Sequence, residues 1–149
     1  QTAYSAFRCY SRDGSGTAPA AGTDLAGTEW KLVSQSLMTA SGAHSEEVMD
    51  ASLSFTSQED GMFHGYLTYV NKKCELGGYI NSESYFTLAL TYITAEGEDP
   101  QPLVVSHTKV DGYIHDGRMY VGAILLDPTT GGEVALFACF EQVPAGQGD

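Results

Sequence analysis

Positive charge is what this sequence has least of: seven Lys and Arg residues stand against nineteen Asp and Glu, a formal net charge of −12. A surface of that sign repels phosphate backbones and anionic lipid headgroups, so no nucleic-acid partner is expected. Long apolar runs are missing as well. No stretch approaches the ~20 residues that a membrane-spanning helix needs, so no membrane span is expected. Histidine is sparse, and His44, His64, His107 and His115 include no pair at the i,i+2 or i,i+4 spacing with which one element offers two ligands to a metal. There is no Gly-x-Ser-x-Gly, no Gly-rich phosphate loop and no Cys set beside a His in a local catalytic pattern. These absences point away from an enzyme: no catalytic, cofactor-binding or metal-ligating residue is assigned. No Asn-x-Ser/Thr acceptor for a glycan occurs either.

What the sequence has is a period of two. A chain of 149 residues, 42% of them hydrophobic, is long enough for one domain with a core and short for two. In TEWKLVSQSLM the apolar positions begin at Trp30 and Leu32; ASLSFTS alternates Ala51, Leu53 and Phe55 against Ser and Thr. MFHGYLTYV sets Phe63, Leu67 and Tyr69 on one side, and YFTLALTYITA sets Phe86, Leu88, Leu90 and Tyr92 against Tyr85, Thr87, Thr91 and Ile93. Asp60-Gly61 and Asp111-Gly112 are dipeptides favoured in hairpin turns, and Tyr113 to Gly117 reads as a tight turn leading into the last hairpin. Short strands at about ten-residue spacing, with no convincing helix, predict an all-β fold: a single antiparallel barrel or sandwich of about 8 strands. Trp30, Phe55, Tyr69, Phe86 and Tyr92 are the candidate lining of its interior.

The last hairpin, Arg118 to Val143, is apolar on both faces. Val134, Leu136, Ala138 and Phe140 make one face of its second strand, and Ala135, Phe137 and Cys139 make the other. A hairpin with one wet face alternates, so this one needs a second cover on its outer wall. At the other end of the chain, residues 1–10 (QTAYSAFRCY) read as an apolar strand, and residues 11–27, rich in Gly, Ala, Ser, Thr and Pro, read as a flexible linker. The expected layout is therefore an arm (1–10), a linker (11–27), a barrel domain (28–143) and a tail (144–149). The chain begins at Gln1 without an initiator Met, as an exported protein does after signal cleavage, so an extracellular or cell-surface location is expected.

The stretch LAGTEWKLVS, Leu25 to Ser34, resembles the opening of the META domain, the small β-barrel of bacterial heat-shock-inducible envelope proteins, in which a Gly, a Trp and an aliphatic residue begin strand one. SLSFTSQEDGMFHGY resembles that family's second hairpin, CELGGYINSESYFTLAL its central section and DGRMYVGAILLDPTTGGEVALF its closing hairpin. The resemblance spans Leu25 to Phe140 and implies a barrel rather than an activity. A Gly near a Trp in strand one is shared with lipocalins and avidins, which implies a cavity for a small apolar ligand as one outcome.

Three cysteines remain. In an exported protein they make one disulfide and one odd thiol. If the arm covers the outer face of the last strand, Cys9 and Cys139 are the natural pair, with Cys74 as the alternative partner; reduced, buried thiols are the competing reading. An apolar strand on a long tether and a hairpin short of cover form the layout of donor-strand complementation. Tyr4, Phe7, Cys9 and Tyr10 would form the assembly arm, and Ala135, Phe137 and Cys139 the receiving face. The expected function is thus a non-enzymatic structural subunit that self-assembles head to tail with copies of itself into an extracellular filament. The alternative is a monomeric barrel that binds a small apolar ligand.

Overall fold

Strands that alternate and end in tight turns expose a row of backbone donors and acceptors at each sheet edge, and closure into a barrel removes both edges. The computed structural model describes residues 22–103, 109–126 and 131–144, and it shows that closure. The strands are β1 (Glu29–Thr39), β2 (His44–Ser45), β3 (Ala51–Glu59), β4 (Met62–Tyr69), β5 (Lys72–Ile80), β6 (Tyr85–Ala95), β7 (Gln101–Pro102), β8 (Lys109–His115), β9 (Arg118–Leu126) and β10 (Glu133–Gln142). All pairings are antiparallel, in the order β1, β3, β4, β5, β6, β8, β9, β10, and β10 returns to β1 from Trp30↔Gln142 to Thr39↔Val134. The two-residue strands β2 and β7 flank β1 and β6, which leaves eight of the ten in the barrel wall. No helix occurs among the described residues.

The interior is built from phenylalanine set against glycine. Phe55 and Phe63 meet edge to face at 5.4 Å between ring centroids, and Phe63 meets Phe86 at 6.3 Å. Each of the three rings lies directly across the ladder from a glycine: Phe55 from Gly65, Phe63 from Gly78, Phe86 from Gly112. A Cβ at Gly78 would strike the Phe63 ring and the Thr87 carbonyl, and one at Gly112 would strike the Phe86 ring and the Tyr120 carbonyl. An eight-stranded barrel has room for little more than its own side chains, so bulk on one strand requires its absence on the next. This explains a departure from the sequence reading. Asp111-Gly112 is not a turn but the middle of β8, where Gly112 makes room for Phe86; the β8–β9 turn is Asp116-Gly117, with φ of 51° and 74°. Asp60-Gly61, with φ of 52° and 81°, does form the β3–β4 turn.

Trp30, Phe55 and Phe86 are buried in the core, and Tyr69 packs against its margin. Tyr92 is a correction. A bulge between Glu75 and Leu76 shifts the β5–β6 register, so Leu90 faces Leu76 while Tyr92 faces Glu75 and is 43% exposed.

One end of the barrel is closed by the residues before β1. Leu25 is wholly buried. Its amide donates to Gln58 Oε1 (2.9 Å), and Gln58 Nε2 donates to the Thr23 carbonyl (3.1 Å). The Thr28 hydroxyl donates to the Leu25 carbonyl (2.6 Å) and accepts from Trp30 Nε1 (2.9 Å). The expected linker, 11–27, therefore stops short: from Gly22, which lies against the Asn81 carbonyl, the chain belongs to the barrel. Residues 1–21, with the arm and the remainder of the linker, and residues 145–149 of the tail lie outside the described residues.

Candidate functional site

The wall formed by β6, β8, β9 and β10 carries the most distinctive surface. Because Phe86, Met119, Val121, Ala138 and Phe140 are buried in the core, the residues between them point outward. The register aligns these in rows. Tyr85 pairs with Tyr113, Tyr113 with Tyr120, and Tyr120 with Cys139; in the neighbouring row Thr87 pairs with Asp111, Asp111 with Gly122, and Gly122 with Phe137. The tyrosines form a ladder. Tyr85 and Tyr113 are 5.7 Å apart and tilted by 41°; Tyr113 and Tyr120 are 5.0 Å apart and nearly stacked, at 24°. Between the two rows runs a groove of about 340 Å³ lined by Tyr85, Asp111, Tyr113, Tyr120, Gly122 and Phe137. Gly122 leaves its floor bare, with the Phe137 ring leaning over it.

Beyond the groove the wall stays apolar. Phe137 is 67% exposed, Met38 51%, Ile124 50% and Leu126 45%. Ile124, Ala135 and Met38 are cross-strand neighbours, and Phe137 sits between Gly122 and Ser36. Charge collects at the margins: Arg118 pairs with Glu141 at 3.0 Å, and Lys109 with Asp111 at 3.6 Å. The Tyr120 hydroxyl, and after it Glu141, push the Arg118 pKa above its already high ordinary value.

The expected receiving residues are thus on one outer strand face, but they differ in access. Phe137 is open, Ala135 half-buried and Cys139 buried. Cys139 and Cys74 are both free thiols, so the bridge expected of Cys139 is not formed. Cys74 cannot substitute as a partner on that face: it points into the barrel between Leu67 and Ile93, on the other side of the wall. Burial pushes both thiols up, against the opposing pulls of Tyr69 on Cys74 and Arg118 on Cys139, so neither is a ready nucleophile. Tyr4, Phe7, Cys9 and Tyr10 lie outside the described residues.

Elsewhere, Ser36 Oγ lies 2.9 Å from His44 Nε2, and Glu46 Oε1 lies 3.7 Å from that same nitrogen. In a nucleophile–base–acid relay the carboxylate holds the other ring nitrogen, so this trio is not arranged for it. Among the described residues no three His, Cys, Asp or Glu gather into a metal-binding group, and no helix is long and apolar enough to cross a membrane.

The residues that sequence reasoning missed are Tyr85, Asp111, Tyr113 and Tyr120. Their signal was available: each occupies the nominally wet position of its strand, and three of them are tyrosines. Only the register shows that they are adjacent. No protein-family model and no curated protein sequence matches the chain. The barrel that the META-domain resemblance implies is present, while membership of that family has no match behind it.

Proposed function

We propose that this protein is a non-enzymatic structural subunit that associates with copies of itself into an extracellular filament. One observation supports the reading above others: Phe137, Met38, Ile124 and Leu126 all stand exposed on the outer face of one wall, Phe137 by 67%, while the inner face of that wall fills the core. Large apolar patches on soluble domains mark interfaces. The closed ladder sets the mode of contact. β10 is hydrogen-bonded to β9 along one edge and to β1 along the other, which leaves a donor strand no open backbone edge there and favours a contact through the outer face. A face that meets a different part of the next copy makes a head-to-tail contact, which propagates as a filament where the rotation between copies does not close a ring. The interior offers less to the small-ligand reading, since Trp30, Phe55, Phe63 and Phe86 pack together there.

The test is sedimentation velocity of the wild type and Phe137→Ser over a wide concentration range. Phe137 is exposed, so its loss should change stability by no more than ~0.5 kcal/mol. Polymers in the wild type and monomers in an equally stable variant are expected. A wild type that stays monomeric at every concentration would overturn the reading.

A further inference from the structure

The tyrosine groove lies beside the point at which the described chain begins. The Thr23 amide donates to Ser84 Oγ at 3.2 Å, and the two hydroxyls lie 2.7 Å apart. Ser84 immediately precedes Tyr85, the first ring of the ladder, so everything upstream of Gly22 starts at the groove's end. The upstream segment has a matching composition. Residues 1–10 include Tyr4, Phe7 and Tyr10, and their single charged side chain is Arg8, in a chain whose net charge is −12. The groove offers the rings of Tyr85, Tyr113, Tyr120 and Phe137 and the exposed Asp111 carboxylate, which Lys109 meets from one side at 3.6 Å and which has oxygen lone pairs left for a second cation.

From this juxtaposition we infer that the groove is the docking site for the N-terminal segment of a second copy. An aromatic side chain of the segment fills the space above Gly122, and the Arg8 guanidinium meets Asp111. The inference rests on the self-association reading and names its contact. The segment lies across the face and is held by side chains, because beside the groove β10 is laddered along both edges and β9 is paired with β8 from Arg118 to Ala123. Reach permits a second copy as well as the segment's own barrel, and the self-association reading selects the second copy. Residues 11–21 extend to ~36 Å at ~3.3 Å per residue, against a radius of gyration of ~15 Å for a domain of this length. A return to the adjacent groove needs only a fraction of that span. Each copy gives a segment and receives one, and the contact extends as an open chain where the rotation between successive copies does not close.

The test uses the full-length protein in sedimentation velocity, alone and with a large excess of a synthetic peptide of residues 1–10 carrying Cys9→Ser. The groove is blocked from within by Gly122→Val; a Cβ there would lie 3.7 Å from the Phe137 ring, an ordinary contact, so the strand accepts it and its branch occupies the groove. Asp111→Lys, at an exposed side chain, provides a second route that opposes Arg8. The peptide is expected to cap growing chains and lower the average mass several-fold, Gly122→Val to sediment as a monomer with the peptide changing nothing, and Asp111→Lys to form shorter chains than the wild type. Polymers that ignore the peptide and persist in both variants would overturn the groove as the contact while leaving self-association intact. A wild type that is monomeric without peptide would overturn self-association itself, and the second-copy occupant with it.

Discussion

Replacing Leu25 by Ala separates two descriptions of the residues before β1. Read as a tether, a run of Gly, Ala, Thr and Asp with one Leu tolerates the change within ~0.5 kcal/mol, as exposed positions do. In the fold, Leu25 is wholly buried and packs with the core that contains Trp30 and Phe55. Truncating a buried Leu costs about 2–5 kcal/mol, from lost transfer energy and from the cavity left behind. The end of a barrel relaxes more easily than its middle, so we place the loss near ~3 kcal/mol, the lower half of that range. For a chain of this size that corresponds to a fall of about 6–12 °C in Tm. Urea unfolding followed by far-UV circular dichroism reads it as a lower midpoint at unchanged slope. Gln58→Ala provides the companion: Gln58 binds the Leu25 amide and the Thr23 carbonyl, and its loss should cost about 1–3 kcal/mol. If both changes release one plug, the double variant loses less than the two singles together. A midpoint for Leu25→Ala within error of wild type would refute the plug.

Three further outcomes follow from the same geometry. Gly78→Ala drives a Cβ into the Phe63 ring and the Thr87 carbonyl, and should lower stability by ~1–3 kcal/mol or more in urea unfolding, whereas a free bend would accept it. Val70 holds φ of 54° while standing 74% exposed in the β4–β5 turn; Val70→Asn should raise the urea midpoint by the equivalent of ~1 kcal/mol, because a β-branched side chain is strained in that region and Asn is not. Burial raises the Cys74 and Cys139 thiols above 9.0 and the Tyr69 hydroxyl above 10.0. Below those values the folded and unfolded chains hold these protons alike; above them the unfolded chain releases its protons first, so stability falls as pH rises. Urea midpoints at about pH 7.5 and about pH 10.5 should therefore decline, and a flat or rising trend would count against buried, protonated groups.

The all-β fold was legible because period-two patterning is a local property: Leu53 and Phe55 alternate with serine whatever the rest of the chain does. The barrel was one of two architectures the patterning allowed; periodicity alone did not choose it over a sandwich, since nothing local to β10 says that its second edge meets β1. Tyr92 was misplaced for a related reason. A bulge inserts one residue without leaving a mark in composition, and every residue past it changes face. Leu25 was lost among small residues because a single buried side chain sets up no period. The outer face of the last hairpin was legible from its excess of apolar residues, whereas the tyrosine groove needed the register of four strands before Tyr85, Tyr113 and Tyr120 became one surface.

The charge balance gives the proposed assembly a salt dependence whose sign can be measured. Each copy carries −12, so drawing two together works against a repulsion that reaches ~30 Å at 0.01 M salt and only ~8 Å at 0.15 M. The contact proposed is mainly apolar, and the single Arg8–Asp111 pair it includes is of the exposed kind, contributing ~0–1 kcal/mol before screening. Screening therefore removes more repulsion than attraction, and polymer mass should grow as NaCl is raised across that range in light-scattering measurements. Sulfate at equal ionic strength should extend the growth, because it strengthens apolar burial beyond screening. Chains that dissolve as salt rises would mean that ion pairs hold them, and the apolar wall around Phe137 would no longer account for the assembly.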